Sequence, residues 1–329
     1  MKIKYRQPQG RSHSLHRELW ELPWGLLCLV CFLGFWPELL KAEEPLRWKF
    51  ETGQKYRVEM AQNTSTLTEY ETKSSNLASE TRLELAWEVV AVENGVATVR
   101  QRLDRLVLQL DLPTKDGAGK VLFDSADPSL SLNLKPEMQA RLQALAGTRF
   151  QVKIRDNGQV EGVEADSASL TAWQAASGSD AVRSQLSPEG LAKLFSESSL
   201  PLPLDEAAAK DGWAVAGKLS GPWGELNSET KYRLAGEQTF DERPALMVVM
   251  ERNVKPGTES AQPAANAGVA ESSRLRQHEA QGEWFFDPAA GQLLGGKVVQ
   301  RIEAERVYRE ETMKTVYRST TSLRTQRLN

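Results

Sequence analysis

The chain has 329 residues with 41 basic and 44 acidic side chains, and its formal net charge at pH 7 is −3. Such a mildly acidic chain lacks the clustered positive charge that phosphate contacts require, so we predict no nucleic-acid partner. Cys28 and Cys31 both precede residue 43, and His278 is the only histidine that follows it. The composition beyond residue 42 therefore excludes a thiol nucleophile, a disulfide framework and a zinc site built on paired histidines. We expect no enzymatic activity, no catalytic or metal-binding residue and no cofactor.

Residues 1–42 are typical of a signal peptide that is cleaved after Ala42. A basic segment precedes the apolar stretch 24–36, which Pro37 ends. As a helix this stretch would be about 20 Å long, shorter than the roughly 30 Å hydrocarbon core of a bilayer. The alternative is an uncleaved N-terminal anchor, because the basic segment is long and Leu40 is bulky for its place before the cleavage site. We predict export to the periplasm or the extracellular space, with no membrane span in the mature chain.

The first part of the mature chain, residues 43–329, is predicted to be β-rich. Leu83, Leu85 and Trp87 alternate with charged residues, which is the period of a half-buried strand. Asn94-Gly95 then predicts a tight hairpin turn. Beyond it, Leu106, Leu108 and Leu110 should face one side of the sheet and Val107 and Gln109 the other.

Helices are predicted within about 135–199, where Pro136 opens the first of them and Ser187-Pro188 opens another. Between them, Asp156-Asn157-Gly158 predicts a second hairpin turn. Pro201 and Pro203 indicate an extended linker.

Strands return after residue 213. The segment 257–272, rich in Ala, Gly, Ser and Pro, is predicted to be a flexible loop. Asp287-Pro288 and Gly291 predict a tight hairpin. The final stretch 297–328 is ambiguous between helix and strand, and we favour two strands that reverse near Arg309-Glu310.

The order of several short motifs resembles a family of exported, β-rich bacterial proteins of unknown function, across most of residues 45–328. The resemblance implies export and a β-rich structure, and it implies no reaction. These motifs are Leu-Arg-Trp-Lys-Phe at 46–50, Gly-Gln-Lys-Tyr at 53–56, Leu-Ala-Trp-Glu-Val at 85–89, Asn-Gly-Val-Ala-Thr-Val at 94–99, Phe-Asp-Ser at 123–125, Asp-Gly-Trp at 211–213 and Phe-Phe-Asp-Pro-Ala-Ala-Gly at 285–291.

Three aromatic residues are the candidate ligand-binding residues of the sequence. Trp213 and Trp223 flank a strand of small residues, and Phe195 lies in the helical region before it. In a curved sheet with helices on its concave face they could line an apolar cavity, although the same residues would also suit an ordinary core. We expect His278 to lie at the surface of a polar strand.

The sequence therefore predicts an α+β protein with a large curved antiparallel β-sheet and a central helical insertion packed on one face, all in a single domain. The first hypothesis for its function is an exported, non-enzymatic binding or structural protein of the cell envelope, with an apolar ligand or an envelope protein as partner. The second is a periplasmic carrier of an apolar ligand or lipid. The third, least favoured, is a hydrolase that uses two carboxyl groups in one cleft.

Overall fold

A single antiparallel sheet of twelve strands dominates the structure. The computed structural model describes residues 45–114, 117–176, 199–203, 205–221, 224–256, 272–308 and 311–328, and these belong to one compact unit, Pro45–Asn329. The strands are β1 (Lys55–Tyr70), β2 (Lys73–Glu93), β3 (Val96–Thr114), β4 (Gly117–Asp124), β5 (Arg149–Arg155), β6 (Val160–Ala165), β7 (Trp213–Gly221), β8 (Gly224–Phe240), β9 (Arg243–Pro256), β10 (Ser272–Asp287), β11 (Gln292–Tyr308) and β12 (Glu311–Leu328).

The strand order across the sheet is β6-β5-β3-β2-β1-β12-β11-β10-β9-β8-β7, and β4 pairs with β3 beside β5. The first and last strands of the chain thus meet at the centre, where β1 pairs with β12 along its whole length. On either side of this pair the chain runs mostly as hairpins between neighbouring strands. The two halves of the sequence therefore build the two halves of one sheet.

The predicted α+β class is wrong, because strands make up about 70% and helices only about 10% of the structure. The helices are α1 (Pro136–Gln143), α2 (Ser167–Ala176) and α3 (Glu206–Asp211), with a 3-10 turn at Pro128–Leu130. Leu142 of α1 and Trp173 of α2 pack beside Leu103 and Phe123 at one corner of the sheet. These helices are too short to form the predicted layer over one face. The helix predicted after Ser187 lies outside the described residues.

Hairpin turns are the best predicted features. Asn94 and Gly95 both have positive φ, at 51° and 77°, and they join β2 to β3. The turns at 156–158 and 288–291 also lie where the sequence places them, between β5 and β6 and between β10 and β11. The final stretch forms two strands, β11 and β12, and Tyr308 pairs with Glu311 at their reversal. The predicted loop 257–272 falls outside the described residues except for Ser272.

Two short segments without regular structure hold opposite edges of the sheet together at one end, which we call the bridged end. In the first bridging segment, 45–50, Trp48 N donates to Asp156 O in the β5–β6 turn (2.7 Å) and Lys49 N donates to Gly291 O in the β10–β11 turn (2.9 Å). In the second, 199–203, Leu202 N donates to Asn157 O (2.7 Å). Because these turns belong to different halves, the sheet curls around the two segments.

The opposite edge of the sheet is attached to the same second segment. Trp213, the first residue of β7, donates from Nε1 to Pro201 O (2.9 Å). Leu200 and Leu202 are buried at 0% and 3% exposure among Tyr232, Val248 and other side chains of the curled sheet. The predicted linker is therefore part of the core, since each fully buried leucine contributes roughly 1.5–3 kcal/mol by leaving water.

Two of the three core clusters occupy the bridged end, on the face of the sheet that turns toward the two segments and that we call the inner face. One cluster centres on Tyr56, Val99 and Phe150. A second surrounds Leu200 and Leu202. Trp48 connects the two clusters, because it stacks on Phe50 (5.6 Å between ring centroids) and meets the edge of Phe286 (5.8 Å).

We predict that Gly158→Ala destabilises the fold by about 3 kcal/mol. Gly158 has a φ of +79°, and an added Cβ would lie 2.3 Å from Leu200 O and 2.7 Å from Trp48 Nε1. Urea denaturation would measure the loss of unfolding free energy.

Two matched variants separate the causes of this loss. Gly53→Ala has a similar φ of +89° in open space and should cost only about 1 kcal/mol. Gly162→Ala has neither problem and should change little. Equal losses in Gly158→Ala and Gly53→Ala would contradict the close approach of the bridging segments.

Candidate functional site

The inner face of the four central strands carries uncharged side chains over most of its length. Side chains alternate between the two faces of a strand, so the inner positions of β1 run from Tyr56 to Tyr70 at every second residue. The cross-strand registers assign the other inner positions. These are Tyr56, Val58, Met60, Gln62, Thr64, Thr66, Thr68 and Tyr70 of β1, Ser75, Leu77, Ser79, Thr81, Leu83, Leu85 and Trp87 of β2, Gly296, Val298, Gln300, Ile302 and Ala304 of β11, and Met313, Thr315, Tyr317, Ser319, Thr321, Leu323 and Thr325 of β12.

The outer face of the same strands is rich in charge. It bears most of the ion pairs of these strands, such as Arg82 with Glu80 and Arg301 with Glu303. Charged side chains on this face keep the sheet in water, whereas the inner face has none on β1 between Tyr56 and Tyr70. The two faces of one sheet are thus chemically distinct.

The uncharged inner face continues past the core. Tyr56 and Val58 are buried in the core at the bridged end, but Gln62, Thr64 and Thr66 are only half-buried. Leu77, which pairs with Thr66, has 39% of its surface exposed. From Gln62 to Tyr70 this face extends about 27 Å, at about 3.4 Å per residue. It is a long surface of hydroxyl, aliphatic and aromatic groups.

One charged side chain interrupts the described inner face between the core and the rim residues Lys73 and Arg306. It is Arg252 of β9, which is half-buried and donates from Nε to the hydroxyl of the buried Thr230 (2.9 Å). Arg252 also lies beside the Tyr232 hydroxyl. No carboxylate forms an ion pair with its guanidinium group among the described residues. Its positive charge is therefore uncompensated in this part of the sheet.

His278 of β10 lies next to Arg252 on the inner face. The registers pair Arg252 with Ala280 and His278 with Ile302, so the two side chains are diagonal neighbours on adjacent strands. His278 is buried, at 8% exposure. Burial, with the positive charge of Arg252 in second place, lowers the pKa of its imidazole to about 4. The ring is therefore neutral at pH 7.

The hydrogen bonds of His278 assign its tautomer. Its Nε2 lies 2.7 Å from the Nε2 of Gln300, and because an amide NH₂ can only donate, the imidazole Nε2 accepts. The ring proton is then on Nδ1, which is buried and has no hydrogen-bond partner among the described residues. A buried, unpaired N–H donor costs about 1–3 kcal/mol. His278 and Arg252 thus present adjacent donors.

The expectation that His278 lies at the surface is wrong, because regular alternation places it on the same buried inner face as Ala280 and Trp284. The β10–β11 register shifts between Leu275 and Gln277, which places Arg276 as the extra residue. Leu275 and His278 therefore both face inward, although strict alternation would have placed them on opposite faces. Sequence alternation alone could not reveal this bulge.

A groove with a volume of about 650 Å³ lies on the outer face, and its lining mixes acidic and basic side chains with apolar ones. Glu59 and Glu84 face each other on β1 and β2, and Arg105 lies 3.0 Å from Glu84. At the other side of the groove Phe240 stacks on Phe285 (4.7 Å). This groove is not the apolar cavity that a carrier of an apolar ligand was expected to contain.

Of the three predicted ligand-binding residues, the structure describes only Trp213. It packs beside the core at the bridged end and stacks on Tyr232 (5.5 Å), one row of the sheet away from Arg252. Phe195 and Trp223 lie outside the described residues. A role of these residues in ligand binding stays a prediction.

Two kinds of feature, a metal-binding group and a membrane-spanning helix, are absent from the described residues. They contain no group of three or more His, Cys, Asp or Glu side chains that could hold a metal ion. Within the same residues, none of the helices has the length and apolar character needed to cross a membrane.

We predict that His278 makes the protein less stable as the pH falls from 6.5 to 4. In this window the unfolded chain binds a proton at the imidazole while the folded chain does not, so folding loses up to about 3 kcal/mol. Urea denaturation of the protein and of His278→Gln across this range would measure the effect, with equal pH slopes contradicting it.

Comparisons with known proteins identify no family. The chain matches no protein-family profile and no curated protein. Among solved structures it resembles lipovitellin, solved for its lipid–protein interactions, with 13% identity and a TM-score of 0.48 over 84% of this chain and 25% of that one. It also resembles an outer membrane channel from Pseudomonas putida F1, with 8% identity and a TM-score of 0.25 over 85% and 97% of the two chains. The chain spans about a quarter of the length of the lipovitellin chain.

Proposed function

We propose that the protein is an exported, non-enzymatic binding protein of the cell envelope, which binds a ligand with a long uncharged chain along the inner face of its curled sheet. The observation that carries this proposal is the uncharged, half-buried inner face that continues for about 27 Å past the core. The basic and apolar segments within residues 1–42 support export.

The asymmetry of the two faces supports a binding role. A sheet face that meets only water is normally polar, as the charged outer face is, whereas exposed apolar groups that lie together mark binding sites. Leu77 is 39% exposed on this face, and Tyr317 beside Thr66 is half-buried. These groups, with the methyl groups of the threonines, offer apolar contact along one line.

The curl of the sheet gives such a ligand a defined position. At the bridged end the core fills the space between the two halves of the sheet, so a chain lying along the inner face would abut the side chains of Met60 and Leu323. The hydroxyl-rich rows beyond, such as Thr64 with Ser79, already satisfy one another by a hydrogen bond. The ligand therefore needs to supply few polar groups there.

The carboxylate-hydrolase hypothesis has weaker support. Glu59 and Glu84 meet its spacing requirement, because they pair directly across β1 and β2 in the outer groove. However, Glu84 is held in an ion pair with Arg105, which also binds Asp124 (2.6 Å). The Arg105 guanidinium group thus occupies a carboxylate that this hypothesis would need for catalysis.

Native mass spectrometry, combined with lipid extraction, tests the proposal on the mature protein purified from the envelope of its own host. A co-purifying molecule with a long uncharged chain, in near-stoichiometric amount, is the expected result. A bare polypeptide mass, together with no binding of apolar probes in solution, would contradict the proposal.

A pair of variants on one strand tests the location of the site. We predict that Thr66→Glu weakens the binding of Nile red, an uncharged apolar dye, by about tenfold or more, because it places a charge on the uncharged face. Ser65→Glu is the matched control, since Ser65 is the neighbouring residue and faces outward. Fluorescence titration measures both affinities, and equal losses in the two variants would place the dye elsewhere.

A further inference from the structure

We propose that Arg252 and His278 bind an anionic headgroup, a carboxylate or phosphate, of the ligand whose uncharged chain lies along the inner face. This inference rests on the proposed function and adds the chemical class of the ligand, an anionic amphiphile. It gives a partner to Arg252, which forms no ion pair within the described part of this largely uncharged face.

Arg252 carries a positive charge on a half-buried side chain. A half-buried guanidinium group is costly without a charged partner, yet its neighbours on β8 are the neutral hydroxyls of Thr230 and Tyr232. This leaves N–H groups of the planar fork for an anion, and guanidinium binds carboxylate and phosphate oxygens in a bidentate manner. The described residues provide no carboxylate in an ion pair with it.

His278 provides a second, independent hydrogen-bond donor beside Arg252. Its Nδ1–H is a buried donor without a partner among the described residues, because Gln300 occupies Nε2. An acceptor atom of a ligand would satisfy this donor. Two adjacent groups that offer only donors fit an anion and do not fit a cation or an amine.

The place of Arg252 in the sheet determines where the chain of such a ligand would lie. Arg252 belongs to a row that crosses the inner face through Ala280, Gln300, Ser319 and Thr64. On β1 the uncharged inner positions from this row to Tyr70 are half-buried. With its headgroup at Arg252, the ligand would extend its uncharged chain along the half-buried surface of β12, β1 and β2.

Isothermal titration calorimetry of the full mature protein with dodecanoate, methyl dodecanoate and acetate tests the inference. Dodecanoate should bind more tightly than its uncharged ester, and acetate should bind weakly, because the chain supplies much of the affinity. Arg252→Met should weaken dodecanoate binding by about tenfold or more and leave the ester unchanged. His278→Phe should weaken dodecanoate binding to a smaller extent.

Arg233→Met is the matched control, because Arg233 lies on β8 beside β9 with its side chain exposed on the outer face. It should bind all three probes as the unaltered protein does. Circular dichroism with urea denaturation verifies that each variant is folded.

Each contrary outcome has a distinct meaning. Unchanged dodecanoate affinity in Arg252→Met, with the ester still bound, would overturn the headgroup site and leave the proposed function intact. Acetate binding as tight as that of dodecanoate would overturn the amphiphile and indicate a site for free anions. Failure of both dodecanoate and its ester to bind would overturn the proposed function and this inference with it.

Discussion

The curl of the sheet depends on hydrogen bonds that one short segment, 199–203, makes to both of its edges. Leu202 N binds the β5–β6 turn at Asn157, and Pro201 accepts the indole N–H of Trp213 at the start of β7. These contacts join the first and last strands of the sheet order to one segment, and the leucines beside them fill the space enclosed. These contacts stabilise the curled form of the sheet, in which both edges bind the same segment. The distinction between an inner and an outer face follows from this constraint.

Once the faces are distinct, the two-residue period of each strand determines what each face carries. On β1 most of the side chains at every second position from Lys55 contribute charge or polarity to the outer face, while the alternate positions stay uncharged. The registers between β1, β2 and β12 keep these positions aligned from strand to strand. A one-residue slip in any of them would move charges such as Glu59 inward, so the uncharged surface depends on register as much as on composition.

Local signals in the sequence were sufficient for the strands and turns but not for their assembly. Asn94-Gly95 and the alternation of Leu83, Leu85 and Trp87 determine a hairpin and its faces through neighbouring residues alone. The pairing of β1 with β12 joins residues from the two ends of the chain, and no local pattern encodes it. Pro201 and Pro203 correctly predicted a segment without helix or strand. The burial of Leu202 in that segment, however, depends on strands that follow much later in the sequence.

Local sequence patterns also fail to predict the candidate site. Trp213 is conspicuous as a large aromatic residue, but it packs at the bridged end, where the core needs it. Arg252 and His278 are inconspicuous, because one arginine among many and a lone histidine carry no motif. Their proximity arises from the β9–β10 register, which pairs Arg252 with Ala280, two residues from His278 on the same face. The chemistry of the inner face is therefore a property of the assembled sheet, in which Arg252, without an ion-pair partner among the described residues, shares a row with Thr64 of the half-buried, uncharged stretch of β1.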